Sequence, residues 1–217
     1  MNLIKKLQIY YRLHPVTSLI LLINLMMVIV LLLTNGFTVQ NLIHYGALVP
    51  SLVIQEGEYY RILTAMILHG SILHFLMNSF VLYYLGGHME RLIGPIKYFI
   101  VYLLSGIVSS LFVVFFGPNA ATIGASGAIF GVMGGLLTLT FIRKQWLNPQ
   151  AIRSIRQLML INLVITFVIP GISRAGHIGG LVVGLILFFF ITPEYPYYYV
   201  QQVKMMNENK NSDENFM

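Results

Sequence analysis

The 217-residue chain contains no cysteine, which excludes a disulfide framework, a thiol nucleophile and a thiolate metal site. Charge is almost as scarce. Only 9% of residues are Asp, Glu, Lys or Arg, against roughly 25% in ordinary soluble domains. Hydrophobic residues make up 57%, and the mean hydropathy is +0.79. A soluble core of this length would have too few charges to cover its surface, so the bilayer is the expected solvent. Acid is the scarcest of all: Glu56, Glu58, Glu90, Glu194, Glu208, Asp213 and Glu214 are the whole inventory, and none falls within an expected span. That excludes an aspartyl protease, which needs paired carboxylates in the membrane, and disfavours a proton-coupled carrier. Glu90 follows Gly-Gly-His-Met with no second histidine four residues on, so the H-E-x-x-H zinc motif is missing too.

What the chain does have is six apolar stretches approaching the about 20 residues that a spanning helix needs. They cover 16–33, 62–85, 98–116, 123–142, 156–172 and 176–192. Pro170-Gly171 separates the last two, which as one helix would outrun any bilayer. No small-x-small cleavage site follows the first stretch, which is expected to remain as an uncleaved span. Lys and Arg concentrate on the cytoplasmic side of such bundles. Six spans put both termini on one side, together with Lys5, Lys6, Arg12, Arg91, Lys97, Arg143, Lys144, Arg153, Arg156, Lys204 and Lys210; only Arg61 and Arg174 lie opposite. Both termini are therefore expected in the cytoplasm. The net charge of +6 is orientation bias, and no nucleic-acid partner is needed to explain it. The expected organisation is a cytoplasmic segment over 1–15, a six-helix membrane domain over 16–192 and a polar cytoplasmic tail over 193–217, disordered beyond Tyr199. The connection 34–61 is apolar but broken by Gly46, Pro50 and Gly57, which predicts an interfacial loop or short surface helices.

Polar residues inside the spans carry the chemistry. His74 and Asn78, four apart, lie about 40° apart on one helical face. They can point into one cavity or simply hydrogen-bond to neighbouring helices. His69, about 140° from His74 on the same wheel, is expected at the interface or anchoring a loop. Asn24, Ser105, Ser109, Ser110, Asn162 and Thr166 are assigned to interhelical hydrogen bonds. "GASGAIFGVMGG" at 124–135 puts Ser126 among glycines, with Gly127, Gly131 and Gly135 at every fourth position. "GHIGGLVVG" at 176–184 does the same for His177 with Gly180 and Gly184. Small residues at that spacing let two helices approach closely. The second, fourth and sixth spans all run from outside to inside, so Ser126 and His177 enter at similar shallow depths, with His74 and Asn78 level or somewhat deeper.

In these motifs the sequence resembles the rhomboid family of intramembrane serine proteases. "GASG" at 124–127, "GHIGGLVVG" at 176–184 and "HFLMN" at 74–78 carry the resemblance, reinforced by "GEYYRILTAMILHGSILHFLMN", with Tyr60-Arg61 where the family commonly shows Trp-Arg. It implies an all-α, six-transmembrane-helix bundle and a Ser126–His177 dyad, Ser126 the nucleophile and His177 the base. The assignment of His177 rather than His74 as base comes from the family. With no acid available, tight packing is expected to orient the imidazole. The resemblance makes His74, Asn78 and the Ser126 backbone N–H the oxyanion donors. Gly124, Gly127, Gly131, Gly176, Gly180 and Gly184 support close packing. Phe130 stands where many members carry a tyrosine that stacks on the histidine; it can stack but not donate. The implied substrates are membrane proteins cut near the outer end of a transmembrane helix, in the cell membrane, with no metal or organic cofactor. The sequence leaves the oligomeric state open. Two rivals are an inactive rhomboid-like client binder, which typically lacks one or both dyad residues, and a small-solute channel or carrier. The latter would want polar lining through the inner half of the fourth span, where "LLTLTFI" offers only threonine.

Overall fold

The computed structural model describes residues 2–214; Met1 and residues 215–217 of the expected terminal segments lie outside the described residues. The architecture is helical. Helix α1 (Leu3–Leu13) leads into α2 (Pro15–Leu33), which Pro15 opens at the first helical position, where a missing N–H costs nothing. Two short helices, α3 (Val39–His44) and α4 (Pro50–Ile54), occupy the connection expected at the interface. Next come α5 (Arg61–Thr64), α6 (Ile72–Val81), which continues through one π turn into α7 (Gly87–Ile93), and α8 (Pro95–Phe116). The remaining helices are α9 (Ser126–Ile142), α10 (Pro149–Val168), α11 (Arg174–Ile191) and α12 (Tyr197–Glu214).

Helices α2, α8, α10 and α11 are long and apolar enough to cross a membrane, and a fifth crossing follows if α5 and α6–α7 count as one bent span. Helix α9 is apolar but has only 17 residues. It forms the centre of the molecule. Most of its residues are buried, against α8 and α11, which also pack on each other. Helix α10 stands at the periphery, where only Met159 and Thr166 are fully buried.

Several expectations are corrected. The second span is not continuous: the chain bends by 91° between the segments Arg61–Ile67 and Ile72–Ile93. Ser71 starts the new helix, its hydroxyl accepting from the His74 N–H at 3.1 Å. Of the two places expected for His69, the structure gives the loop: it falls in the break and is completely buried, edge-on to His74 with ring centroids 5.1 Å apart. The fifth helix starts at Pro149, seven residues before the expected 156, because Asn148 caps it by accepting from Ala151 N at 2.7 Å. The tail expected to be disordered beyond Tyr199 is helical to Glu214. Its Gln, Lys and Glu residues are polar, and these and Met are good helix formers.

Glu90 is the most consequential correction. It lies within α7, in the C-terminal half of the bent span, with only 1% of its surface exposed. Its carboxylate accepts from the backbone N–H of Val16 at 2.8 Å and of Thr17 at 2.9 Å, and from the Thr17 hydroxyl at 2.7 Å. These donors belong to the first turn of α2, where backbone N–H groups have no intrahelical partner and the helix dipole favours an anion. The buried acid is thus a structural clasp between two spans. Glu90→Ala would leave these donors buried and unpaired, and is expected to destabilise the protein by about 3 kcal/mol. Equilibrium unfolding in mixed detergent micelles checks it; unchanged stability would show the clasp to be dispensable.

Candidate active site

Ser126 is the first residue of α9 and His177 the fourth of α11. The approach to Ser126 is held by main chain. Leu48 and Thr122 exchange N–H···O bonds at 2.9 and 2.8 Å, and Gly124 N donates to Ala65 O at 2.8 Å. Gly124 has φ +122°, a conformation that L-residues rarely adopt, which turns the chain into the helix. The first α9 bond of this turn runs from Ile129 N to Ala125 O at 3.0 Å, so the N–H groups of Ser126, Gly127 and Ala128 precede the ladder and face outward as donors. Helix α11 begins where the Ser173 hydroxyl accepts from Gly176 N at 3.2 Å.

The structure brings Ser126 and His177 together: Oγ lies 2.9 Å from Nε2. The opposite ring nitrogen, Nδ1, lies 2.8 Å from the Thr166 hydroxyl. The Phe130 ring stacks on the imidazole with centroids 4.0 Å apart and planes 19° apart. Ser126, His177, Gly127, Gly176, Ser109 and Ser173 line one cleft. The glycines make this meeting possible. A Cβ on Gly180 would collide with the Gly127 carbonyl oxygen, and one on Gly184 with that of Gly131, so α9 and α11 touch backbone to backbone. On the other side, Gly127 and Gly131 take the Ser109 and Ser105 hydroxyls of α8 into the space a side chain would fill. A Cβ on Gly176 would lie 3.0 Å from the Ser173 hydroxyl, so this glycine keeps the first turn of α11 compact.

His74 is brought to the same place. A Cβ on Gly124 would lie 3.0 Å from His74 Nε2 and 3.6 Å from Ser126 Oγ, so the imidazole and the hydroxyl flank the bare face of this glycine. Gly70 N points at His74 Nδ1 from 3.4 Å. A neutral ring that accepts at Nδ1 carries its proton on Nε2, the atom beside Gly124. Asn78, one turn further along α6, is buried, and its Nδ2 donor has no partner among the described residues. Neither His74 nor Asn78 lines the cleft containing Ser126 and His177. Among the described residues, no group of three or more His, Asp or Glu side chains is arranged to hold a metal ion.

The sequence reading missed Thr166 as a neighbour of His177. Its only signal was a hydroxyl in the C-terminal half of the fifth stretch; no spacing rule connects two different helices. Ser110, assigned to an interhelical hydrogen bond with no partner named, donates to the Ile62 carbonyl at 2.9 Å, linking α8 to α5.

Comparison with known proteins places this geometry in context. The family model described as Rhomboid domain matches residues 56–194. Rhomboid protease GluP of Bacillus subtilis is 34% identical over 169 residues, covering 77% of this chain and 33% of GluP. The putative rhomboid protease YdcA of the same organism is 28% identical over 185 residues, covering 84% of this chain and 91% of YdcA. Inactive RHOMBOID-like protein 8 of Arabidopsis thaliana is 32% identical over 151 residues, covering 68% of this chain and 42% of that protein. The chain thus spans a third to under half of the length of two of these relatives and most of the third.

Proposed function

The chain belongs to the rhomboid family, and from that premise we propose that it is an intramembrane serine endopeptidase with Ser126 as nucleophile and His177 as general base. The observation that carries this reading is the 2.9 Å contact between Ser126 Oγ and His177 Nε2. It sits in a cleft at the ends of two helices that run side by side. A serine hydroxyl becomes a useful nucleophile only when a base within this reach takes its proton.

The Ser126 oxygen attacks the scissile carbonyl carbon as its proton passes to His177 Nε2, and the carbonyl π pair moves onto oxygen. Breakdown of the tetrahedral intermediate expels the amine, which takes the proton from the imidazolium as the C–N bond breaks. Water then repeats the sequence on the acyl-enzyme, returning Ser126 and releasing the carboxylate. Negative charge on the intermediate needs donors. By resemblance to the family, the donors of this reading are the Ser126 N–H at the start of α9, the His74 Nε2–H beside Gly124 and the Asn78 amide, the last two reaching in from next to the cleft. Phe130 fixes the ring plane by stacking.

Membrane proteins with a transmembrane helix are the substrates of this reading, cut near the outer end of the helix. The bundle has six spans, counting the bent α5–α7 and the short α9. Residues 16–192 form the membrane domain, flanked by the cytoplasmic segment 1–15 and tail 193–217, and the site opens to the outer side. The inactive relative makes a client-binding protein the natural rival, but a serine and histidine already within hydrogen-bond distance favour catalysis.

A fluorophosphonate probe separates the two. Applied to the folded protein in detergent, it is expected to label Ser126 alone, as read by peptide mapping, and heat-denatured protein is expected to stay unlabelled. Labelling at another serine, or none on folded protein, would refute the assignment.

A further inference from the structure

Helix α10 buries little, yet Thr166 on it is fully buried, and its hydroxyl has two close neighbours. One is the Asn162 carbonyl oxygen at 2.7 Å, one turn back on the same helix; the other is His177 Nδ1 at 2.8 Å. A threonine hydroxyl has one proton to give. If it went to Nδ1, the Thr166 and Asn162 oxygens would face each other at 2.7 Å with no proton between them, a repulsive arrangement in a dry site. If it goes to the Asn162 carbonyl, every group is satisfied: Thr166 Oγ1 then accepts, and among the described residues the donor in contact with it is a proton on His177 Nδ1.

On that ground we propose that Thr166 is a positioning residue that fixes the tautomer of His177. With its proton on Nδ1, the neutral ring presents a bare Nε2 to the Ser126 hydroxyl at 2.9 Å, the state a general base requires. The relay runs Ser126 O–H to His177 Nε2, His177 Nδ1–H to Thr166 Oγ1, Thr166 O–H to Asn162 O. After the proton leaves Ser126, the imidazolium still donates through Nδ1 to the threonine oxygen, and Thr166 neither gains nor loses a proton. A neutral hydroxyl here does part of the work that a carboxylate does in a triad: it orients the ring and selects the tautomer, but adds no charge. The Phe130 stack fixes the plane of the ring without distinguishing its two nitrogens, so the second constraint is needed.

The proposal rests on the protease reading, and the test keeps the two apart. Thr166→Val keeps the shape and removes the hydroxyl; Thr166→Ser keeps the hydroxyl. With full-length protein in liposomes and a fluorogenic transmembrane substrate, Thr166→Val is expected to lower kcat by about tenfold to a hundredfold, with KM changed less than about twofold. Thr166→Ser restores most of the turnover and the thermal midpoint, whereas Thr166→Val lowers the midpoint by only a few degrees. Two-bond 1H–15N spectra of ring-labelled protein should place the resting His177 proton on Nδ1 in wild type and Thr166→Ser, and on a mixture of nitrogens in Thr166→Val. Wild-type kcat in Thr166→Val, or a resting proton on Nε2 in wild type, overturns the proposal. The spectrum of the wild type decides it even if Thr166→Val does not fold. Cleavage that survives Ser126→Ala would instead overturn the protease reading, whatever Thr166 does.

Discussion

Ser126→Ala is expected to cut the rate of cleavage of a transmembrane substrate by about 10⁴-fold or more, and His177→Ala by a comparable factor. The double variant should be hardly slower than either single one. A nucleophile without its base keeps its proton, and a base without its nucleophile has nothing to activate, so the pair works as a unit and its losses do not add. What remains comes from substrate binding and from the oxyanion donors, which neither substitution touches. Substrate affinity, measured by energy transfer between labelled enzyme and substrate in liposomes, should therefore stay within a few-fold of wild type. Ser126→Ala removes one oxygen and His177→Ala one buried ring, and the fold should persist in both, with the larger loss of stability in His177→Ala. Rates that multiplied in the double variant would mean that the two residues act independently, and the 2.9 Å contact would then be incidental to catalysis.

The close approach of Ser126 and His177 was legible because its supports are local and periodic, whereas the choice of His177 over His74 as the base came from the family resemblance. A glycine at every fourth position announces a close helix contact, and counting residues from each helix entrance sets the depth of Ser126 and His177 without a structure. The rest was hidden for specific physical reasons. Hydropathy reads "ILTAMILHGSILHFL" as continuous, although Gly70-Ser71 breaks the helix and Ser71 caps a new one. The angle between His69 and His74 on a helical wheel consequently had no meaning, because His69 precedes the new helix. Glu90 was expected outside every span; its partners are the free N–H groups of α2, 74 and 73 residues earlier in the chain. The hydroxyl of Thr166 reaches His177 across two helices joined by a turn whose geometry the sequence does not encode at the level of spacing.

Gly180→Ala is expected to be the most damaging single-methyl change in the protein, lowering turnover by about a hundredfold or more. The added carbon would land on the carbonyl oxygen of Gly127, the residue immediately after Ser126. That oxygen belongs to main chain, so no rotamer change relieves the overlap, and α11 must move away from α9. Gly180 is three residues from His177, under one turn, so the displacement passes almost undiminished to the imidazole. A separation of about 1 Å is enough to take Nε2 out of reach of the Ser126 hydroxyl. Overpacking of this kind costs about 1–3 kcal/mol of stability, which leaves most molecules folded if the reserve is ordinary. Turnover should therefore fall much further than the thermal midpoint does. Gly184→Ala meets the Gly131 carbonyl in the same way, but one turn further from His177, and should lose comparable stability and less activity. Val182→Ala, on the partly exposed face of the same helix, is the control, with cleavage close to wild type. Kinetics and thermal melts on the three variants test the ordering. Full turnover in Gly180→Ala would show that backbone contact between these helices is not what holds the serine and histidine together.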